Sequence, residues 1–269
     1  MYKKIVFFIL LVITLQGFSS CTILQWRNSD EKINMQFLKA NIPSEISYFN
    51  IDSLTLKIRT QTVKSDTSKL NIVFLHGSPS SLSAWNAYLL NDSLRQHANL
   101  IAVDRPGYGY SNFGNEMTSL ETQIEVMSAL VDHYKLKNVI VVGSSYGGPL
   151  AAGVAAANKN IKGVMMISPA IDPNQEKHVK GVKWTQFWLT AWMVPTGYRV
   201  AGDEKTVHAA ELAKIEPLWK DIALPIVHIH GDKDELVPYT NVNYTKKMFS
   251  NSFITVSYTH LTLPTTPYV

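Results

Sequence analysis

The sequence predicts an α/β domain with a mostly parallel sheet wound on both faces, and three observations carry that prediction. Strand-length apolar runs recur along the chain: "LNIVFLHG", "NLIAVDRPG", "NVIVVGSS", "IKGVMMIS" and "LPIVHIHGD". Between them lie segments with helical spacing, such as Leu120, Ile124, Met127, Leu130 and Val131 in "TSLETQIEVMSALVDHYKL". Strands that are apolar on both faces need cover on both sides, and alternating helices supply it. With 269 residues, 46% hydrophobic and 17% charged, the chain can bury one large core.

The N-terminal "MYKKIVFFILLVITLQGFSSC" places a short basic start before an apolar run from Ile5 to about Thr14, followed by small residues. Residues 1–20 therefore read as a secretory signal peptide, since the run is short for a spanning helix. Cys21, the sole cysteine, follows Phe18-Ser19-Ser20, which resembles a bacterial lipobox with phenylalanine in place of the usual leucine. The resemblance implies a lipidated Cys21 and a tethered, periplasm-facing domain of the cell envelope. A secreted protein with an incidental cysteine and an uncleaved anchor are the alternatives. One cysteine allows no intramolecular disulfide. The formal charge is +4, with Lys3 and Lys4 in the leader, and gives no reason to expect a nucleic-acid partner.

Residues 21–53 read as a tether and N-terminal segment, with "NSDEKINMQFLKA" a short helix capped by Ser29 or Asp30. "LTLKIRTQTV" alternates like a half-exposed strand, and βα alternation starts there, so the core is expected over 54–173 and 222–255. Residues 174–221 break the rhythm with Trp184, Phe187, Trp188, Leu189 and Trp192. They are expected to form a helical cap over the C-terminal ends of the strands.

The most specific short motif is "GSSYG", Gly143 to Gly147, between a buried strand and a helix. This is the nucleophile-elbow pattern G-x-S-x-G. So sharp a strand-to-helix turn needs small flanking residues, strains the central Ser145 and projects its hydroxyl above the sheet. The helix that follows points its positive end at a developing anion. Ser145 is the expected nucleophile, and Ser144 a strand residue.

Taken with "HGSPSS" (76–81), "DRPGYGYS" (104–111) and "HGDKDELVP" (230–238), this motif makes the chain resemble the α/β-hydrolase family from about Leu54 to Ile254. Ser144 stands where the family often has histidine. The resemblance implies an oxyanion hole from the backbone N–H groups of Tyr146 and Ser78, with His76 structural. It also implies an acid after a late strand, best matched by Asp234. Asp172 in "SPAIDP" is a rival, and Asp232 reads as a turn former.

A serine hydroxyl needs a base held in one tautomer by an acid. Chain order leaves His260 after Asp234, but "VSYTHLTLPT" offers no glycine turn before that histidine and no helix after it. The decapeptide matches one reading frame of a sequencing-transposon adapter, so residues 256–269 are expected to be foreign to the gene. His260 is rejected on that ground. The true histidine is expected beyond Thr255, leaving this chain inactive with its last strand and helix incomplete.

The expected function is a serine hydrolase acting on a small-molecule carboxylic ester or related acyl bond through an acyl-enzyme, without metal or cofactor. The aromatic cap suggests an apolar acyl or alcohol group. Amidase, C–C hydrolase and perhydrolase chemistry stay open. In this fold dehalogenase and epoxide-hydrolase chemistry resembles use of an aspartate, which Ser145 argues against. The alternative from another class is a non-catalytic binding or envelope lipoprotein on a hydrolase fold.

Overall fold

In a computed structural model of the protein, which describes residues 4–6, 25–65, 70–176 and 181–257, the apolar runs form one eight-stranded sheet. The strands are β1 (Glu45–Ile51), β2 (Leu56–Val63), β3 (Asn71–Leu75), β4 (Asn99–Val103), β5 (Val139–Ser144), β6 (Ile161–Ile167), β7 (Ile226–Gly231) and β8 (Ser252–Ser257). Their spatial order is β1-β2-β4-β3-β5-β6-β7-β8. β1 pairs antiparallel with β2, and β2 with β4; every later pair is parallel.

The helices are α1 (Asp30–Lys39), α2 (Asn86–Leu89), α3 (Asp92–His97), α4 (Leu120–His133), α5 (Gly147–Ala157), α6 (Val182–Gln186), α7 (Thr196–Ile215) and α8 (Asn241–Met248). Ser29 caps α1 through its side chain, which accepts from Lys32 N–H. Two hydrophobic clusters cover the sheet. One gathers α4, α5, Trp219 and Phe249; the other gathers α1, Phe74, Trp85 and Leu89.

The sheet begins earlier than Leu54. β1 pairs with β2 over its whole length, from Glu45↔Thr62 to Ile51↔Leu56. Only Phe49 of its seven residues is buried, so no two-residue apolar period marks this strand in the sequence. At the other end β8 runs through Val256 and Ser257, which pair with His230 and Gly231. The ladder thus takes in the first two residues of the expected tail, because backbone pairing does not depend on where the side chains came from.

Between β6 and β7 the chain leaves the sheet as α6, α7 and short 3₁₀ turns. The buried face of α7 carries Val200, Glu204, His208, Glu211, Leu212 and Ile215, near four-residue spacing. Half of that face is polar. The aromatic cluster is not the packed interior of this cap. Thr185 and Gln186 of α6 meet α7: a β-carbon on Gly202 would overlap Thr185, and Gln186 Nε2 donates to Asp203 Oδ1 and Thr206 Oγ1, both at 3.0 Å. Trp184, next to them on α6, is consequently 63% exposed; beyond the helix Trp188 is 75% exposed, and Phe187, Leu189 and Trp192 are exposed beside it.

Candidate active site

β5 ends at Ser144 and α5 starts at Gly147, so strand turns into helix across Ser145 and Tyr146 alone. The turn holds Ser145 at φ 51°, a left-handed conformation uncommon for a residue with a β-carbon. Its N–H donates to the Ile167 carbonyl at 2.9 Å, and its carbonyl accepts from Gly148 at 3.0 Å and Ala170 at 3.2 Å. The flanking glycines are required by close approach. A β-carbon on Gly143 would overlap the Gly147 carbonyl oxygen, and one on Gly147 would overlap that of Leu75. Ser145 is partly exposed, and its hydroxyl has no hydrogen-bond partner among the described residues.

The loop after β3 lies against this serine: a β-carbon on Gly77 would stand 3.1 Å from Ser145 Cβ and 3.7 Å from Oγ. The Gly77 carbonyl accepts from His76 Nδ1 at 2.7 Å and from Arg105 Nη2 at 3.2 Å. A trans peptide is planar, so these two bonds also fix the opposed N–H, which belongs to Ser78. His76 Nε2 accepts the Arg105 N–H at 3.0 Å, which assigns the ring proton to Nδ1. Burial, and then the Arg105 charge, hold the His76 imidazole well below its ordinary pKa, so it stays neutral in that tautomer. Neither the Ser78 nor the Tyr146 N–H meets an acceptor among the described residues.

Arg105 is the hub beneath the cap. Nε donates to the His76 carbonyl at 2.9 Å, and Nη1 to Gln123 Oε1 at 2.9 Å and Glu204 Oε1 at 2.6 Å. Glu204 Oε2 accepts from Arg105 Nη2 at 3.1 Å, and from the Ser78 and Tyr108 hydroxyls at 2.6 Å each. Burial alone would lower the Arg105 pKa, but Glu204 outweighs it and holds the guanidinium above its ordinary range. The Tyr146 ring packs on Arg105, with Cζ 4.3 Å from its centroid, and stacks on His208 at 4.5 Å.

Asp234 lies in the loop after β7. Its Oδ1 accepts from the N–H groups of Leu236 at 3.0 Å and Val237 at 2.9 Å, while Oδ2 takes no bond among the described residues. A histidine relay anchors this loop. His230 Nε2 donates to the Val237 carbonyl at 3.1 Å, which leaves Nδ1 to accept from His228 Nε2 at 2.9 Å. His228 Nδ1 then accepts from the Thr245 hydroxyl at 2.9 Å. Burial lowers both pKa values, that of His228 to about 3.

β5 and β7 flank β6, so the strands carrying Ser145 and Asp234 are about 10 Å apart, which leaves room for an imidazole between the loops. Asp172, after β6, spends Oδ1 on the Asn174 N–H at 2.9 Å, and its own N–H is held by Asn241 Oδ1 at 2.9 Å. Asp232 is exposed, and its N–H pairs with the Ser257 carbonyl at 3.0 Å. No described histidine hydrogen-bonds to Ser145. Cys21, His178 and His260 lie outside the described residues. The Arg105–Glu204 hub was not read from the sequence. Arg105 sits in a quoted motif, but Glu204 is one of several carboxylates in a helix with no local signature.

The sheet order, the strand–turn–helix at Ser145 and the cap between β6 and β7 together define the α/β-hydrolase fold. The family model described as "alpha/beta hydrolase fold" matches residues 71–195. The chain is similar to a haloalkane dehalogenase of Agrobacterium fabrum, 34% identical over 101 residues, covering 37% of this chain and 33% of that protein. It is also similar to a probable lysophospholipase, BODYGUARD 1, of Arabidopsis thaliana, 27% identical over 147 residues, covering 52% and 30%. The matches thus span about a third of these relatives' length. Among solved structures, a putative aryl esterase from Burkholderia cenocepacia superposes with a TM-score of 0.67 at 15% identity, covering 80% of this chain and 90% of that one.

Proposed function

We propose that the protein is a serine hydrolase that cleaves a carboxylic ester or related acyl bond through an acyl-enzyme on Ser145. The observation that carries this is the strained Ser145, at φ 51°, with a hydroxyl unpaired among the described residues and two free amides beside it. In the mechanism, Ser145 Oγ attacks the acyl carbon while a histidine takes its proton. The carbonyl oxygen, now negative, is received by the N–H groups of Ser78 and Tyr146. The histidine returns the proton to the leaving alcohol, and water then releases the acid by the same route. Asp234 holds that histidine through Oδ2.

The base is a histidine that the described residues do not supply, and on this proposal the residues from Val256 onward, His260 among them, are foreign to the gene. The domain is held at the cell envelope by lipid on Cys21. A fluorophosphonate probe tests the first two points together. The 269-residue chain stays unlabelled, the resequenced and extended product is labelled, and its Ser145→Ala variant is not. An extended product that carries a histidine but resists labelling supports a non-catalytic envelope lipoprotein instead.

A further inference from the structure

The cap exposes Trp184, Phe187, Trp188, Leu189 and Trp192 to solvent within nine positions of sequence, and large exposed apolar groups of this kind mark interaction surfaces. Their contacts stay within the segment: Trp192 Nε1 donates to the Leu189 carbonyl at 2.8 Å and the Phe187 and Trp188 rings lie 6.2 Å apart, while Thr185 and Gln186 hold α6 to α7 and leave Trp184 outward. The position of Gln25 and Trp26 bears on what covers them. A β-carbon on Gly197, in the first turn of α7, would stand 3.2 Å from the Gln25 carbonyl oxygen, and the Trp26 and Tyr198 rings lie 6.4 Å apart. Residue 25 therefore sits at the end of α7 that follows the aromatic segment. Gly197 and Gly202, the residue under α6, are roughly 7.5 Å apart along the helix. Cys21 is four residues before Gln25, a reach of about 14 Å at most. The sequence before Trp184, "EKHVKGVKW", also carries Lys177, Lys180 and Lys183. Indole rings beside lysines are the composition of a surface that seats at the headgroup level of an anionic bilayer.

We propose that the outer face of the cap, Trp184 to Trp192, is a membrane-docking surface that lays the hydrolase domain cap-first against an anionic phospholipid bilayer. The proposal rests on the reading of Cys21 as the lipid anchor, four residues before Gln25 in the sequence.

The test uses the full chain, with large unilamellar vesicles of phosphatidylethanolamine and phosphatidylglycerol containing lipids brominated on the acyl chain. Of six tryptophans Trp85 and Trp219 are buried, Trp26 is half-buried and Trp184, Trp188 and Trp192 are exposed, so quenching of tryptophan emission by bromolipid reports mainly on the cap. The expected result is strong quenching that weakens with salt, and at least about tenfold weaker partitioning for Trp184→Ser/Trp188→Ser, the scale of losing buried aromatic area. Near-UV circular dichroism checks that the variant is folded. Flotation with vesicles but without quenching overturns the docking face and leaves the anchor reading standing. A Cys21→Ser chain that still shows quenching sensitive to the tryptophan substitutions supports docking, even if mass analysis finds no lipid on the wild type. A double variant that changes only the oligomeric mass overturns the proposal in favour of a second copy on this face.

Discussion

Arg105 and Glu204 meet beneath the cap as a two-pronged ion pair, Nη1 to Oε1 at 2.6 Å and Nη2 to Oε2 at 3.1 Å, with both side chains sealed from solvent. The same guanidinium binds the carbonyls of His76 and Gly77, so a residue of the cap helix fixes the loop that lies against Ser145. Removing the carboxylate strands a buried cation. Glu204→Ala is expected to lower the unfolding free energy by about 3–5 kcal/mol in urea denaturation. Adding Arg105→Met removes the uncompensated charge and is expected to recover part of that loss. If both variants match the wild type, the pair does not hold the cap to the body.

The strain at Ser145 separates stability from chemistry. A glycine tolerates φ 51° without the β-carbon penalty, whereas alanine keeps it. Ser145→Gly is therefore expected to be more stable than Ser145→Ala by about 1 kcal/mol, although both lose the nucleophile. Thermal denaturation of the two variants side by side checks the order.

Asp234 and Asp172 both follow strands that lead toward Ser145, and substitution discriminates them. In the product that carries the base, Asp234→Asn is expected to slow hydrolysis by about 10⁴-fold, by unsettling the histidine tautomer. Asp172→Asn is expected to stay within about tenfold, because its Oδ1 caps a 3₁₀ turn through the Asn174 N–H. The reverse result would move the acid to β6.

Three buried histidines make the fold acid-sensitive. His76, His228 and His230 all have pKa values lowered by burial, His228 to about 3. Below the ordinary histidine value of about 6.5 the unfolded chain takes up protons that the folded chain refuses. Stability is therefore full above that pH and declines as pH falls from there toward 3. Urea midpoints measured at successive pH values are expected to drop across this window. His228→Gln is expected to flatten part of the decline.

Parallel strands buried on both faces leave continuous apolar runs, which is why β3, β5, β6 and β7 were legible. β1 was not, since one buried residue in seven makes no period. The sequence also marked the cap segment by its aromatics but carried nothing about the direction in which they point. The exposure of Trp184 depends on which α6 residues reach α7, a contact between helices that composition does not encode.

The residues alone determined the α/β class, the elbow around Ser145 and the order of the candidate groups. These rest on local backbone demands: two-faced burial, a turn too tight for β-carbons, and a loop that ends a strand. Tertiary structure alone decided that Glu204 reaches Arg105 and Ser78 across 99 and 126 positions, and that the cap turns its tryptophans outward. Such long-range pairings come from how helices pack on a sheet, so no window of neighbouring residues carries them.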